Sequence, residues 1–405
     1  MQRHSVFTAV TRPTAPPAML PVICSAAFLV FAQTFMVAPL IPRLAIIFHS
    51  PIAWVGLAVP AYVIPQGLAT LLGGPLSDRL GRREVIYVSL AVFIALTAAT
   101  ATTSHIEAFI GWRIATGVSA AGVVPISLTL IGDVVPFERR GRAVGWLFGS
   151  IAGGTASGAA VGALLEPIIG WRSLFLGVAA LCAIVVAAAL LTGAFPRLAR
   201  PSAAPAWSAI ARGYRALLSL PRAQRTYAYV LLNAILQSGV FTWMGVYLHQ
   251  RFGLGETGIG LVLLGYGVPG LLFGPIIGRL ADRYGRARII PVGVMLTGVC
   301  ALLLALPLGR VWVQAAIVLL SLGFDLTHPL LAAIATDLRG ARGQAVALMA
   351  FSLFLGFGLG SLLFQAALTL GFTDALMIFA GVALIAAAAA ALLFRSERPR
   401  AVRPE

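Results

Sequence analysis

Residues 74–83 read Gly74-Pro75-Leu76-Ser77-Asp78-Arg79-Leu80-Gly81-Arg82-Arg83, and residues 278–286 answer them with Gly278-Arg279-Leu280-Ala281-Asp282-Arg283-Tyr284-Gly285-Arg286. The two stretches lie 204 residues apart. At the same offset Tyr62 and Pro65 fall on Tyr266 and Pro269, Gln33-Thr34 on Gln237-Ser238, and Pro125 and Asp133 on Pro329 and Asp337. A two-residue gap then brings Arg140-Gly141 onto Arg342-Gly343. The chain therefore reads as two versions of one unit. Gly81 and Gly285 stand where a tight turn between two helices needs backbone angles that a side chain resists.

Around each turn the chain is strongly apolar. Of 405 residues, 60% are hydrophobic and 10% charged, against about 25% charged in a typical soluble protein. So little charge cannot cover a soluble surface, which argues against a soluble enzyme. Twelve stretches reach the ~20 apolar residues that a membrane helix needs: 18–41, 52–74, 85–104, 108–132, 143–165, 173–195, 226–248, 257–278, 289–309, 311–336, 344–371 and 375–394. They are continuous rather than alternating, so they predict helices and not the strands of a barrel. Frequent Gly, Ala and Ser within them favour close packing of helices in lipid. The expected fold is an all-α membrane protein of twelve spans in two six-helix bundles.

The net charge is +16, and all 29 basic residues are arginine. They lie in short gaps between apolar runs rather than on a soluble basic face, so a membrane and not a nucleic acid is the expected partner. All but five of them (Arg43, Arg113, Arg172, Arg251 and Arg310) fall in the two tails and in the connections after spans 2, 4, 6, 8 and 10. Positive charge marks the cytoplasmic side, so both ends are expected in the cytoplasm and the chain in the inner (plasma) membrane. The expected organisation is a tail at 1–17, a bundle at 18–195, a cytoplasmic linker at 196–225, a second bundle at 226–394 and a tail at 395–405. The linker carries six arginines and no acid, with an amphipathic stretch around Trp207 to Leu220 suited to an anionic lipid surface. Cys24, Cys182 and Cys300 all lie within apolar runs and suggest neither a disulfide framework nor a metal site.

The doubled G-x-L-x-D-R-x-G-R turn, placed alike in two parallel halves, resembles the major facilitator superfamily, as does the Gly170-Trp171-Arg172 turn before span 6. The resemblance covers nearly the whole chain outside the tails and the linker. It implies a secondary transporter that works by alternating access, with a solute site between the halves near the midplane. It also implies a cytoplasmic latch at the two turns, which must break when the carrier opens inward. The candidate latch residues are Gly74, Asp78, Arg79, Gly81, Arg82, Asp133 and Arg140 in the first half, and Asp282, Arg283, Gly285, Arg286 and Asp337 in the second. Physically, an acid at such a turn can pair with arginine or lie against a helix start, whose dipole favours negative charge. The starts of spans 5 and 11, near Arg142 and Gln344, are the expected partners of Asp78 and Asp282.

Ionisable groups inside a membrane are costly and are functional candidates by default. Asp325 and His328 lie three residues apart in span 10, on one helical face. Their repeat equivalents are Ala121 and Val124, so the second half alone carries a carboxylic acid and an imidazole at that depth. Such a pair can take up and release a proton as its access to water changes. Arg113, five residues into span 4, is similar to the family's span-4 arginine and completes the proton-coupling set. The resemblance further implies that spans 1, 4, 7 and 10 line the cavity. Their polar and aromatic residues are Gln33, Thr34, Thr116, Asn233, Gln237, Ser238, Trp243, Tyr247 and Thr327, with Tyr266 from span 8 beside Pro269. Gln33 and Gln237 are expected to face each other across the pseudo-two-fold axis. Few polar groups in much apolar wall suit a small amphipathic organic solute.

No metal-ligand spacing, nucleophile elbow or phosphate-binding loop is present, so neither an enzyme nor an ATP-driven pump is expected, and no cofactor. The expected function is proton-coupled efflux of a small organic solute by a monomer. The family's drug-proton antiporters tend to carry a Gly-Pro pair in span 5, and this chain has Ala156-Ser157-Gly158 there. That keeps open a proton symporter importing a metabolite such as an organic anion or a sugar. A non-transporting receptor is the remaining alternative.

Overall fold

The computed structural model describes residues 15–198, 207–270, 276–277, 280, 283–338 and 342–397. Asp282 lies outside them, and of Arg140 only the backbone lies within them. The described residues form helices, with no strand among them. In chain order these are α1 Met19–Phe35, α2 Ile41–Ile47, α3 Ile52–Val55, α4 Pro60–Leu80, α5 Arg82–Thr100, α6 Ile106–Ala120, α7 Val124–Val134 and α8 Phe137–Thr192. After them come α9 Trp207–Leu218, α10 Pro221–Thr242, α11 Met244–Phe252, α12 Glu256–Leu263, α13 Arg286–Ala305, α14 Arg310–Thr336, α15 Arg342–Ala367 and α16 Phe372–Leu393.

Ten helical stretches among the described residues are long and apolar enough to cross a membrane, where the sequence reading expects twelve spans. Two local causes account for the difference. The stretch Arg142–Thr192 runs 51 residues and breaks its helical angles only at Gly170, at φ 75° and ψ 155°, so the expected fifth and sixth spans follow each other without a loop. Each side of that glycine has room for a ~20-residue crossing. The expected eighth span, 257–278, falls partly outside the described residues.

Proline shapes several spans. It lacks an N–H and sits at the first turn of α4, α7 and α10, where that donor is not needed. The first span is interrupted by a 3₁₀ turn at Ala38–Leu40, which contains Pro39, before α2 continues it. The second begins with a 3₁₀ turn at Gly56–Ala58 between α3 and α4. Both interruptions free backbone carbonyls in an apolar interior, where they must find other donors.

The helix contacts repeat with the sequence. In α8, an added Cβ at Gly154 would strike the carbonyl of Phe28, and one at Gly158 that of Ala32. Gly356 and Gly360 in α15 meet the carbonyls of Leu231 and Ile235 in α10 in the same way. These glycine pairs coincide at the 202-residue offset that follows the sequence gap, so the first and fifth spans cross as the seventh and eleventh do. Without a hydrophobic drive between helices in lipid, such backbone approach supplies van der Waals contact that larger residues would prevent.

Two seams join residues of the first half to the second. Along one, α4 packs on α15, and along the other α8 packs on α12. At the end of α10 away from the linker, the Trp243 indole covers Gly56 and donates from Nε1 to the carbonyl of Ser361 at 3.0 Å. Nearby, Gly245 packs on Pro39, and Gln365 donates to the carbonyl of Ala53 at 3.1 Å. The halves are thus in close contact on the face opposite the linker.

Candidate functional site

Between the halves lies a cavity enclosing about 1100 Å³ of empty space, its mouth included. The first half contributes Phe31 and Phe35 of α1, Pro125 and Leu128 of α7, and Phe148 and Thr155 of α8. From the second half come Gln237, Ser238 and Phe241 of α10, Tyr266, Ser321 to His328 of α14 by one face, and Phe354 and Phe357 of α15. The walls are chiefly apolar and rich in aromatic rings: Phe241 and Tyr266 stack at 4.1 Å, and Phe35 meets Phe357 edge-on at 5.6 Å. Apart from the Tyr266 phenol, the titratable groups in the lining among the described residues are Asp325 and His328.

Asp325 is partly exposed to the cavity and accepts a hydrogen bond from the Ser321 hydroxyl, one turn earlier, at 3.2 Å. A Cβ at Gly270 would lie 3.0 Å from Oδ2, so a glycine makes room for the carboxylate. His328 does not pair with Asp325. Its ring stacks on Phe324 at 5.1 Å, 8° from parallel, and meets Phe148 edge-on at 6.3 Å. Its Nδ1 is buried without a hydrogen-bond partner, as is the Gln237 amide oxygen. Two buried polar atoms at the cavity thus lack a partner, which buried groups rarely do without a reason.

Of the other expected cavity residues, Gln237, Ser238 and Tyr266 line it and seven do not, among them Thr116, whose hydroxyl bonds back to the carbonyl of Trp112 at 2.7 Å. Gln33 is fully buried and turned to Arg113, so it does not face Gln237. Thr34 bonds back to the carbonyl of Val30 at 2.7 Å, as helical threonines do. Asn233 donates to the Thr327 hydroxyl at 2.6 Å, and the two close on each other between α10 and α14. Trp243 belongs to the seal over Gly56. Tyr247 donates to the carbonyl of Leu304 at 2.7 Å, and Arg251 covers its hydroxyl. Each of these side chains is engaged by a nearer partner and stays out of the cavity lining, although Gln33 Nε2 and Asn233 Oδ1 are left unpaired.

Arg113 is fully buried and faces no carboxylate among the described residues. Its Nε donates to the carbonyl of Ala58 at 2.9 Å, Nη2 to that of Thr34 at 2.9 Å, and Nη1 to the carbonyl and side-chain oxygen of Gln33 at 3.2 and 3.0 Å. The guanidinium also lies 4.4 Å from the Tyr62 ring centroid. These carbonyls stand just before the break in the first span and at the 3₁₀ start of the second. The planar five-donor fork fits them where an ammonium would not. Arg113 is held apart from the cavity and braces three spans.

The two basic turns carry matching ion pairs. Gly81 has φ 103° and Gly285 φ 81°, the left-handed angles that glycine tolerates. Arg82 pairs with Asp133 at the end of α7, donates to the carbonyl of Thr129 at 3.1 Å, and lies 3.7 Å from Asp78. Arg286 pairs with Asp337 at 2.9 Å. Both pairs join residues of the same half. Among the described residues, Asp78 therefore finds Arg82 in its own turn instead of the expected starts of spans 5 and 11. Gln344 donates instead to the carbonyl of Ile210 in the linker helix α9, at 3.0 Å.

That linker helix touches both halves. Tyr214 donates to the carbonyl of Leu71 in α4 at 3.0 Å, and the Arg79 guanidinium lies 4.7 Å over the Trp207 ring. A Cβ at Gly213 would collide with Gln344 of α15. Farther along, Arg222 grips both carboxylate oxygens of Glu397, at 2.7 and 2.8 Å, and Arg225 adds a third contact. Arg222 and Arg225 hold the Glu397 carboxyl below the usual glutamate range, chiefly through the Arg222 hydrogen bonds.

Arg283 lies over Tyr284, 5.4 Å from its ring centroid, and Gly74 lies within α4. Sequence reasoning missed the phenylalanine walls, Ser321, Gly270 and the linker contacts. Ser321 was in principle visible, since it stands one helical turn before Asp325. At the opposite face Glu166 is buried beside Arg43 at 3.6 Å. Among the described residues no group of three or more His, Cys, Asp or Glu could hold a metal ion.

The family model described as Major Facilitator Superfamily matches residues 23–338 and 251–405. The chain is similar to the uncharacterized MFS-type transporter YceJ of Bacillus subtilis, 29% identical over 348 residues, 83% of this chain and 86% of that one. It is 27% identical over 350 residues to the chloramphenicol resistance protein of Streptomyces lividans, 84% of this chain and 86% of that one. Among solved structures, a D-xylose-proton symporter superimposes with a TM-score of 0.74 at 17% identity, covering 94% of this chain and 98% of that chain.

Proposed function

The chain belongs to the Major Facilitator Superfamily, and from that membership we propose that it exports a small, largely apolar organic solute in exchange for protons, by alternating access. It is an integral multi-pass membrane protein of a transporter family. One observation carries the reading: a cavity built from both repeats holds a carboxylic acid in aromatic surroundings. A group there can be alternately loaded and unloaded as the halves rock, which is what coupling requires.

Asp325 is the proton carrier in this proposal. Ser321 orients its carboxylate, and neighbouring His328 contributes a second site that can hold a proton. Arg113 stays charged at any physiological pH and influences coupling through position, by fixing the broken first and second spans against the fourth. The ion pairs Arg82–Asp133 and Arg286–Asp337 stiffen the loop ends of each half, so that the halves move as bodies.

The outward direction is supported by a relative named for chloramphenicol resistance. The arginine distribution supports an inner-membrane location with both ends cytoplasmic. Uptake is the second reading, favoured by the absence of a Gly-Pro pair at Ala156-Ser157-Gly158. Reconstitution in oriented vesicles with an imposed pH gradient tests both. Export predicts that a solute accumulates on the side from which protons are driven, and Asp325→Asn abolishes gradient-driven accumulation. Full accumulation by that variant would overturn the proton-carrier role.

A further inference from the structure

We propose that the solute this cavity selects is a protonated amine bearing an aromatic or branched apolar body, and that Asp325, Gln237 and His328 read its N–H groups. The assignment rests on the transport reading above and narrows its substrate.

The argument is one of complementarity. Among the described residues the lining contains a carboxylate and no arginine. Arg113, the buried cation of the first half, has its donors spent on carbonyls and faces elsewhere. An anionic solute would find no counter-charge. A neutral solute leaves the carboxylate to be neutralised by a proton and gains no ion pair from it. A cation neutralises it and also gains from the faces of the surrounding phenylalanines.

The free polar atoms restrict the class further. Among the described residues Asp325 receives a single side-chain donor, Ser321. The Gln237 amide oxygen is buried with no donor, and so is Nδ1 of His328, on residues only 5% and 6% exposed. In its neutral form one histidine ring nitrogen accepts. These atoms ask for hydrogen-bond donors from the solute. An ammonium with N–H groups supplies them. A quaternary ammonium carries the same charge and satisfies none of them. Phe35, Phe241 and Phe357 then take the apolar body.

The test uses the full chain in nanodiscs and a matched series: a diphenylpropyl primary amine, its N,N,N-trimethyl quaternary salt, the corresponding alcohol and the corresponding carboxylate. Binding is measured by calorimetry at neutral pH and flux in proteoliposomes. The protonated amine is expected to bind about tenfold or more tightly than the other three, the worth of one charge-assisted hydrogen bond. Asp325→Asn should bring the amine down to the level of the alcohol, and Asp325→Glu, which keeps the charge, should retain the preference. Gln237→Leu should narrow the gap between amine and quaternary salt. Equal binding of amine and quaternary salt, or an amine preference that survives in a folded Asp325→Asn protein, overturns the assignment. Flux of the alcohol without amine preference overturns it too, while leaving the transport reading in place. Amine-selective binding with no flux of any member leaves the amine site standing and overturns transport.

Discussion

Arg113 donates to the side-chain oxygen of Gln33 at 3.0 Å, so the charge of the fourth span is held by the first and not by an acid. A buried guanidinium is tolerated only when its donors are met, and here carbonyls freed by two broken helices meet them. Arg113→Lys keeps the charge but cannot reach the same carbonyls from one point. It should lower stability by roughly 2–4 kcal/mol, read as a lower melting temperature in detergent, with flux falling in parallel. Gln33→Leu removes one acceptor of several and should cost about 1 kcal/mol. If Arg113→Lys melts like the unaltered protein, the bracing role is wrong.

The glycine crossings make a sharper contrast. Gly158→Ala and Gly360→Ala each place a methyl group against a backbone carbonyl that cannot step aside. Each should destabilise by about 1–3 kcal/mol. Gly149 and Gly381 have nothing within 4 Å of an added Cβ. Alanine at either should be neutral, or stabilising by up to about 1 kcal/mol through lower chain entropy. Thermal melts of the four variants side by side decide it; equal shifts would show that the crossings do not depend on close approach.

The paired turns are alike in design and unequal in strength. Arg82 is more buried than Arg286, adds a carbonyl contact and has Asp78 nearby, whereas Asp337 is half exposed. Exposed ion pairs contribute little, about 0–1 kcal/mol. Arg286→Ala should therefore leave the melting temperature almost unchanged, and Arg82→Ala should lower both melting temperature and flux. Exchanging the charges, Arg82→Asp with Asp133→Arg, should recover part of the loss. No recovery would mean that the contact with Thr129, not the pair, carries the effect.

The linker helix bridges α4 and α15 through Tyr214 and Gln344, with Gly213 fitted against the glutamine. Gly213→Leu should push Gln344 away and loosen α9. Hydrogen exchange over residues 207–218 should rise by about tenfold, the loss of roughly 1.4 kcal/mol of local stability. Gln344→Ala should have the same sign and a smaller size. Unchanged protection in both variants would separate the helix from the bundle.

These cases also show what could be read without coordinates. The repeat, the helices and the turn glycines follow from periodicity, length and charge, which act locally and leave a mark at fixed spacing. Asp325 was legible because a lone acid in a long apolar run is conspicuous. Asn233, Thr327, Gln33 and Tyr247 were misplaced because each side chain has two faces of a helix to choose from, and its partner lies 57 to 94 residues away on another element. Nothing in the neighbouring sequence marks Arg113 as a ligand of carbonyls. The phenylalanine walls were hidden for the opposite reason: in a chain with 22 phenylalanines, those facing a cavity look like those facing lipid.

Glu397 offers a pH test outside the membrane helices. Its carboxyl is gripped by Arg222 and Arg225, which favour the ionised form and lower its proton affinity in the folded chain. A group whose folded pKa is depressed stabilises fully above its unfolded value, about 4.3 for glutamate, and loses that contribution as pH falls through the lower folded value. The melting-temperature gap between the unaltered protein and Glu397→Gln should therefore stay constant from neutral pH to about 5 and close only below about 4.3. High salt should narrow it at every pH, because the contact is partly exposed. A gap that grows on acidification would require the opposite sign of shift, and the clamp between the C-terminal end and the start of α10 would have to be abandoned.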